Sequence, residues 1–499
     1  MTDNEASTAV LPTVDQLIAG TDVVELRNTD TGVGRRYVQT YGPLLRYDVE
    51  RQQWLLWNGK ILEPDTSENL KAYALTMRVL DDMREEALEM DGEANDPDTP
   101  RGRQLRFIQG MESVAARKKI LEAAKEHPSI HVREEELDAV GTDLVVENGV
   151  VDLLGGEIRK ATPADRNTRM CTVAYDPKAK SKELDLFLKT FLPDELDQRF
   201  VFALLGRCLM AGNHTRTFPI ILGGTTSGKS QLMAAVHKIL GSYACAIGSS
   251  VFRGNMDDKP RPDLVKAMYT RLAWASEASK GWHLHADQIK RLTGGDPLPY
   301  RDHYAGVVNA QPRFTPMLIT NEMPKINGAD PAIRRRIVVV TFDRSLAPGQ
   351  EDPRIKQRFL NDEECLRAIL ARLVEGAQDT MMANVDHIPQ KYILATMNAT
   401  GSLTNLEEFL QFMYEDGYLE DAPISTTPAS HFVKASDLHT QYVNYVKNHG
   451  DAQAKKDVMD MPEFGRQLRE RGWQTKPSAG IRWMGRKLIQ IPMWPNMNL

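Results

Sequence analysis

The chain has 499 residues, of which 41% are apolar and 26% charged, and it carries a formal net charge of −6. That length is too great for one core and calls for roughly three or four domains, while the mildly acidic total means that any polyanion-binding surface must be a local basic patch. Four scattered cysteines (Cys171, Cys208, Cys245, Cys365) with no C-x-x-C pair argue against a zinc site or disulfide frame, and no apolar run approaches the ~18 residues of a membrane span.

Residues 1–12 read as a polar, acidic tail, neither a signal nor a transit peptide, so a soluble cytoplasmic protein is expected. From 22 to 62, VVELRN, RRYVQTY, LLRYD and QQWLLWNGKIL read as short strands, with Asn58-Gly59 as a hairpin turn. Asp65 and Glu68 form a capping pair for a helix running to about Met90, and a second helix spans about 102–126. LVVENGVVDLLGGEIRK then reads as a hairpin around Asn148-Gly149 with a further turn at Gly155-Gly156. Trp54 and Trp57 suit a core or interface better than base stacking. This first third shows no paired carboxylates in strand context, such as two-metal nucleotidyl transfer would need. Residues 1–183 are therefore expected to be an α+β domain, followed by a helical collar over 184–216.

The stretch TFPIILGGTTSGKS, 217–230, carries the chemistry. A short apolar strand feeds the pattern G-x-x-x-x-G-K-[ST], written as Gly223, Gly224, Thr225, Thr226, Ser227, Gly228, Lys229 and Ser230, and a helical pattern follows. Glycines let backbone N–H groups converge on one point, and the helix N-terminus adds partial positive charge there. Lys229 can reach β- and γ-phosphates, and the Ser230 hydroxyl can ligate Mg²⁺. This is a nucleoside-triphosphate site.

Three downstream runs complete it. Arg271–Ser276 is an apolar strand ending at Glu277, where a carboxylate could orient Mg²⁺ and activate water. Pro316–Thr320 ends at Asn321, an amide suited to holding water near the γ-phosphate. Arg334, Arg335 and Arg336 precede the strand IVVVTF and could form an arginine finger acting on a neighbouring subunit's nucleotide, which requires a ring. Between the first two runs, Lys290, Arg301, His303 and Tyr304 flank a hairpin that could grip DNA, by phosphate contact and base stacking, in a ring's channel. His283 and His285 lack further ligands at zinc spacing. Residues 346–420 read as helical, and 421–430 as a linker. The last 70 residues read as helices at 435–448 and 461–471 and two strands around RWMGRKLIQIPMW, a winged-helix pattern whose Arg482, Arg486 and Lys487 are candidate DNA contacts.

In this order, NGVVDLLGGEIRKATPADRNT, GGTTSGKS, LAWASEASKG, KRLTGGDPLPYR, LITNEMPKI and IRRRIVVVTF resemble the superfamily 3 helicases of the phage/plasmid primase-helicase type, related to the poxvirus primase-helicase. The resemblance implies a modified AAA+ P-loop ATPase core with a parallel sheet over 217–345, working as a hexamer that moves 3′-to-5′ on single-stranded DNA with ATP and Mg²⁺. It implies Lys229 and Ser230 as Walker A, Glu277 as the Walker B acid, Asn321 as sensor 1, and Arg335 or Arg336 as the finger. Ser276 stands where many relatives have a second acid, and Arg334 where they often have an aromatic. Relatives often carry a primase ahead of this region; the chain starts too late to hold one, so primer synthesis is not expected. An initiator or loader that remodels DNA without unwinding it is the alternative reading.

Overall fold

The computed structural model describes residues 28–66, 68–252, 262–276, 283–301, 307–327, 331–347, 349–350, 352–381, 388–400, 405–422, 432–449, 455, 458–477, 480–490 and 492. These fall into two compact units, one comprising residues up to 140 with 160–170, the other 141–159 with 171–499.

In the first unit, RRYVQTY is helical, within Asp30–Tyr41. The strand expectation fails because Val33, Tyr37 and Val38 recur on one helical face and are buried. Thr29 also caps the helix by accepting from the Gly32 amide at 3.1 Å. The next helix runs Leu70–Leu88, and Asp65 accepts from the Ala72 amide at 2.9 Å rather than capping beside Glu68. The expected helix over 102–126 is two, Pro100–Met111 and Val114–Lys125, because Ser113 caps the second by accepting from Ala116. Strands Leu45–Asp48, Gln53–Trp57 and Leu62–Pro64 pair antiparallel, with the Asn58-Gly59 turn between the last two, and His131–Val132 adds in parallel. Trp54 is fully buried, edge-on to Tyr37 and Tyr47. It is core. VVELRN lies outside the described residues apart from Asn28.

The second unit is mixed α/β around a five-stranded, wholly parallel sheet. Its spatial order is Ile337–Phe342, Phe218–Gly223, Thr315–Thr320, Leu272–Ser276, Ala244–Ala246. These strands are continuous apolar runs because both faces are covered. The helix Lys229–Leu240 buries Leu232, Met233, Val236 and Ile239. Two collar helices, Lys182–Phe191 and Glu195–Gly206, precede the sheet; the second packs on Glu363–Met381 so tightly that a Cβ on Gly376 would lie 2.2 Å from the Phe202 carbonyl oxygen. The hairpin Asp143–Val146/Gly149–Asp152 belongs to this unit, although the sequence groups it with the N-terminal domain. Its two-residue turn is Glu147-Asn148, one position earlier than expected. Buried Arg271 fastens it: Nη2 donates to the Asp143 carbonyl at 2.6 Å, Nη1 donates to the Leu209 carbonyl, and the guanidinium lies 4.2 Å from the Tyr243 ring centre.

At the C-terminal end, Phe432–Lys434, Ile481–Met484 and Thr475–Pro477 form a three-stranded antiparallel sheet, and Leu419–Asp421 pairs with Arg486–Leu488. The two strands expected around RWMGRKLIQIPMW therefore exist but pair with other strands, since Gly485 at φ +70° turns the chain between them. Helices Ala435–His449 and Met461–Glu470 pack behind, and the core includes Leu406, Phe409 and Met413 of helix Asn405–Glu415. That helix, read from sequence as part of the preceding segment, is part of this module's core.

Candidate nucleotide site and basic surfaces

The phosphate loop leaves the carboxyl end of Phe218–Gly223, where ligands of open parallel sheets bind. Gly228 has φ +84°, and a Cβ there would also meet Phe191 at 2.7 Å. Glycine is required on both counts. Thr226, at φ +63°, is braced from across the fold, since its Oγ1 donates to the Leu346 carbonyl at 3.0 Å and its own carbonyl accepts from the Leu346 amide at 3.3 Å. Neither Phe191 nor Leu346 carries a sequence signal, because their roles arise only from packing.

Lys229 is 5% exposed. Its Nζ donates to the Gly224 carbonyl at 2.8 Å and to Asn321 Oδ1 at 2.5 Å, and burial holds its pKa below the ordinary lysine value. Both acceptors are neutral. The Ser227 hydroxyl is fully buried and has no hydrogen-bond partner among the described residues. A partly desolvated ammonium with no carboxylate among the described residues, beside an orphaned hydroxyl, fits an incoming phosphate. Ser230, the second residue of helix Lys229–Leu240, is exposed. Glu277, the acid expected after Leu272–Ser276, lies outside the described residues. Among those residues no group of three or more His, Cys, Asp or Glu is arranged to hold a metal ion.

Asn321 directly follows Thr315–Thr320, and the lateral pairing of that strand with Phe218–Gly223 brings its amide to Lys229. The arginine cluster is not brought there. Ile337 pairs with Phe218 and Phe342 with Gly223, so Arg334–Arg336 sit at the amino end of the sheet. Five residue steps, about 17 Å at ~3.3 Å each, separate the two edges. Arg334 and Arg335 are exposed beside a cavity of about 430 Å³ that Tyr392 and Met397 also line. Arg336 is half-buried, and its Nη1 donates to the Ala332 carbonyl at 3.2 Å.

Where a hairpin is expected, Leu298–Arg301 pairs antiparallel with Val307–Ala310. Lys290 lies on the preceding helix, Ala286–Gly294, within 3.5 Å of Asp287. His303 and Tyr304 lie outside the described residues; Arg301 lies on the first strand of the hairpin. In the C-terminal module, Arg486 is buried against Asp421 at 3.0 Å and stacks on Trp473, and Lys487 is directly across from Glu420. Arg482 alone of the three named cations has no such acid among the described residues.

Residues 34–193 match the family described as D5 N terminal like. Over 203 residues, 39% of this chain, the sequence is 28% identical to "Putative helicase L207/L206" of Acanthamoeba polyphaga mimivirus, covering 21% of that protein. It is 30% identical over 46% of the chain to "Putative helicase 184R" of Invertebrate iridescent virus 6, covering 25% of it, and 24% identical over 41% of the chain to "Primase D5" of Fowlpox virus, covering 28%. Over these stretches the chain is similar to the D5-like primase-helicases. The matched region spans 21% to 28% of the length of those relatives. Among solved structures, the apo C-terminal region of NrS-1 aligns over 91% of this chain and 99% of its own, at 12% identity and a TM-score of 0.40. No helix among the described residues is long and apolar enough to cross a membrane.

Proposed function

We propose that this chain is an ATP-driven DNA helicase with a modified AAA+ core, hydrolysing ATP at the interfaces of a hexameric ring and moving 3′-to-5′ on single-stranded DNA. The observation that carries the reading is the Lys229 Nζ–Asn321 Oδ1 contact across adjacent parallel strands. It joins a phosphate-loop cation to an amide able to orient a water molecule, the pairing that γ-phosphate hydrolysis requires. The loop amides and Lys229 would hold the β- and γ-phosphates, with the Ser227 hydroxyl turned towards them. Ser230 and Glu277 would hold Mg²⁺, which supplies charge neutralisation across the phosphates when bound. Glu277 would accept the proton of the attacking water, and Asn321 would fix that water's orientation.

The sheet edge that bears Arg334–Arg336 supports action in trans, since one chain cannot bring these guanidinium groups to its own loop. The hairpin Leu298–Arg301/Val307–Ala310, with His303 and Tyr304 beyond it in sequence, would be the element that each hydrolysis moves along DNA. The C-terminal module would add a second, winged-helix-like DNA contact.

Strand displacement on forked DNA tests the reading, with tails of either polarity and Lys229→Ala as the negative control. Displacement that depends on ATP, Lys229 and a 3′ tail is expected. ATP hydrolysis that DNA does not stimulate, with no displacement, would replace the motor by an initiator or loader.

A further inference from the structure

Strand pairing in the C-terminal module aligns three cations that no carboxylate among the described residues compensates. Lys434 lies directly across from Arg482, and Arg482 directly across from Lys476. Directly opposed residues of antiparallel strands share a face of the sheet. The alternate residues Val433 and Trp483 are buried on the other face. Lys434 and Lys476 are exposed, and the Arg482 guanidinium lies 4.1 Å from the Phe432 ring centre.

Like charges directly opposed destabilise a sheet. Elsewhere in the module the chain avoids them. Arg486 meets Asp421, Lys487 faces Glu420, Arg471 bonds to Glu407, and Arg466 bonds to both Glu463 and Glu470. Neither Lys434, Arg482 nor Lys476 forms an ion pair with a carboxylate among the described residues. The segments 423–431 and 478–480, which lead into and join these strands, contain no Asp or Glu. A row left bare where its neighbours are neutralised calls for an anion from outside the chain.

We propose that the row Lys434–Arg482–Lys476 is a docking face for the sugar–phosphate backbone of duplex DNA, so that the sheet, not helix Met461–Glu470, makes the grip. The proposal rests on the DNA-motor reading only for the nature of the polyanion. Neighbouring strands lie ~4.8 Å apart, so the row spans about 10 Å, the length over which one strand of a duplex presents about three phosphates. Phe432, on the same face, has its ring covered by Arg482. The face therefore offers charge without a free stacking platform, which favours duplex over the aromatic-rich grip on single strands. The helix is the poorer surface, because its Arg466 is already held by two glutamates.

The test is binding of the full chain, without nucleotide, to labelled random-sequence duplex and to single strands of equal length across a salt series. The double variant Lys434→Gln/Lys476→Gln should lower the slope of log K against log salt for duplex by about 1.8, two contacts at ~0.9 each, and weaken binding roughly tenfold or more near 0.1 M salt. Single-strand binding should hold, and Arg466→Gln should leave the duplex slope where it was. Lys476→Glu gives Arg482 an opposed carboxylate, so its thermal midpoint should stay level or rise while duplex affinity falls. A folded double variant with unchanged duplex slope overturns the proposal, as does loss of duplex binding in Arg466→Gln alone. Because nucleotide is absent, failure of the motor would leave these slopes intact, whereas normal unwinding with an unchanged slope would sink the row alone.

Discussion

The two ends of the central sheet treat their cations in opposite ways. At the carboxyl end, Lys229 is buried, its pKa lowered, and its hydrogen bonds are spent on the Gly224 carbonyl and Asn321. At the amino end, Arg334 and Arg335 stand exposed, and Arg336 is tied back to the Ala332 carbonyl. A preorganised cation in low dielectric suits a ligand bound by its own chain. An exposed guanidinium suits a ligand supplied by another. The difference teaches that the sheet carries a buried cation at one edge and exposed ones at the other, which under the proposed reading would serve two different nucleotides.

The largest expected effect breaks this comparison at its outward end. Arg335→Ala should lower ATP turnover by about 10³-fold or more, the usual worth of an arginine finger, while nucleotide affinity stays within a few-fold. Arg336→Ala should mainly cost stability, about 1 kcal/mol for its hydrogen bond to Ala332. Steady-state kinetics and thermal melts separate the two. Mixing Arg335→Ala chains with Lys229→Met chains should restore some turnover, since each supplies what the other lacks; no restoration at any ratio would mean the arginine does not act in trans.

Next comes the buried end. Lys229→Met should lower turnover roughly 10²- to 10³-fold through lost phosphate stabilisation. Without nucleotide its thermal midpoint should equal or exceed that of the parent. A lysine whose pKa is lowered by the fold destabilises the folded state while charged, below that lowered value, and neutral Met removes the penalty. A large drop in the apo midpoint would instead make Lys229 a structural residue. A smaller effect is expected of Asn321→Ala, roughly 10- to 100-fold in turnover with little change in nucleotide affinity. Asn321→Asp should hold Lys229 in an ion pair and weaken nucleotide binding in direct affinity measurements, because the carboxylate competes with phosphate for Nζ.

These contrasts also explain what was legible in advance. The loop, Lys229 and Asn321 were readable because their signals are local: a strand, then glycines or a strand-end amide, with order in the chain fixing position in a parallel sheet. Helix Asp30–Tyr41 was not, since RRYVQTY carries β-branched and aromatic residues at positions whose burial only the packed helix reveals. Likewise Arg486 and Lys487 looked like free cations, because Asp421 and Glu420 oppose them from 65 and 67 residues away. Lys434 stands 48 residues from Arg482, and only strand register joins them. Charge in sequence counts cations; register decides which remain uncompensated.

The smallest effect sharpens the buried end, where the loop helix meets the sheet. His237, on helix Lys229–Leu240, accepts at Nδ1 from the Trp274 indole N–H at 2.9 Å, with the rings 5.8 Å apart and 72° between their planes. An indole nitrogen can only donate, so Nδ1 must carry no proton. Burial first, and then the charge of Lys266, hold the His237 pKa below its ordinary 6.5. Between that lowered value and about 6.5 the unfolded chain binds a proton that the folded chain refuses, so stability falls as pH falls through this window and is unaffected above it. Protonation would also break the bond to Trp274, a loss of the order of 1 kcal/mol. His237→Asn keeps an acceptor near the same place but does not titrate. Its thermal midpoint should decline less than the parent's from pH 7 to pH 5, and parallel declines would show that His237 is not the group responsible.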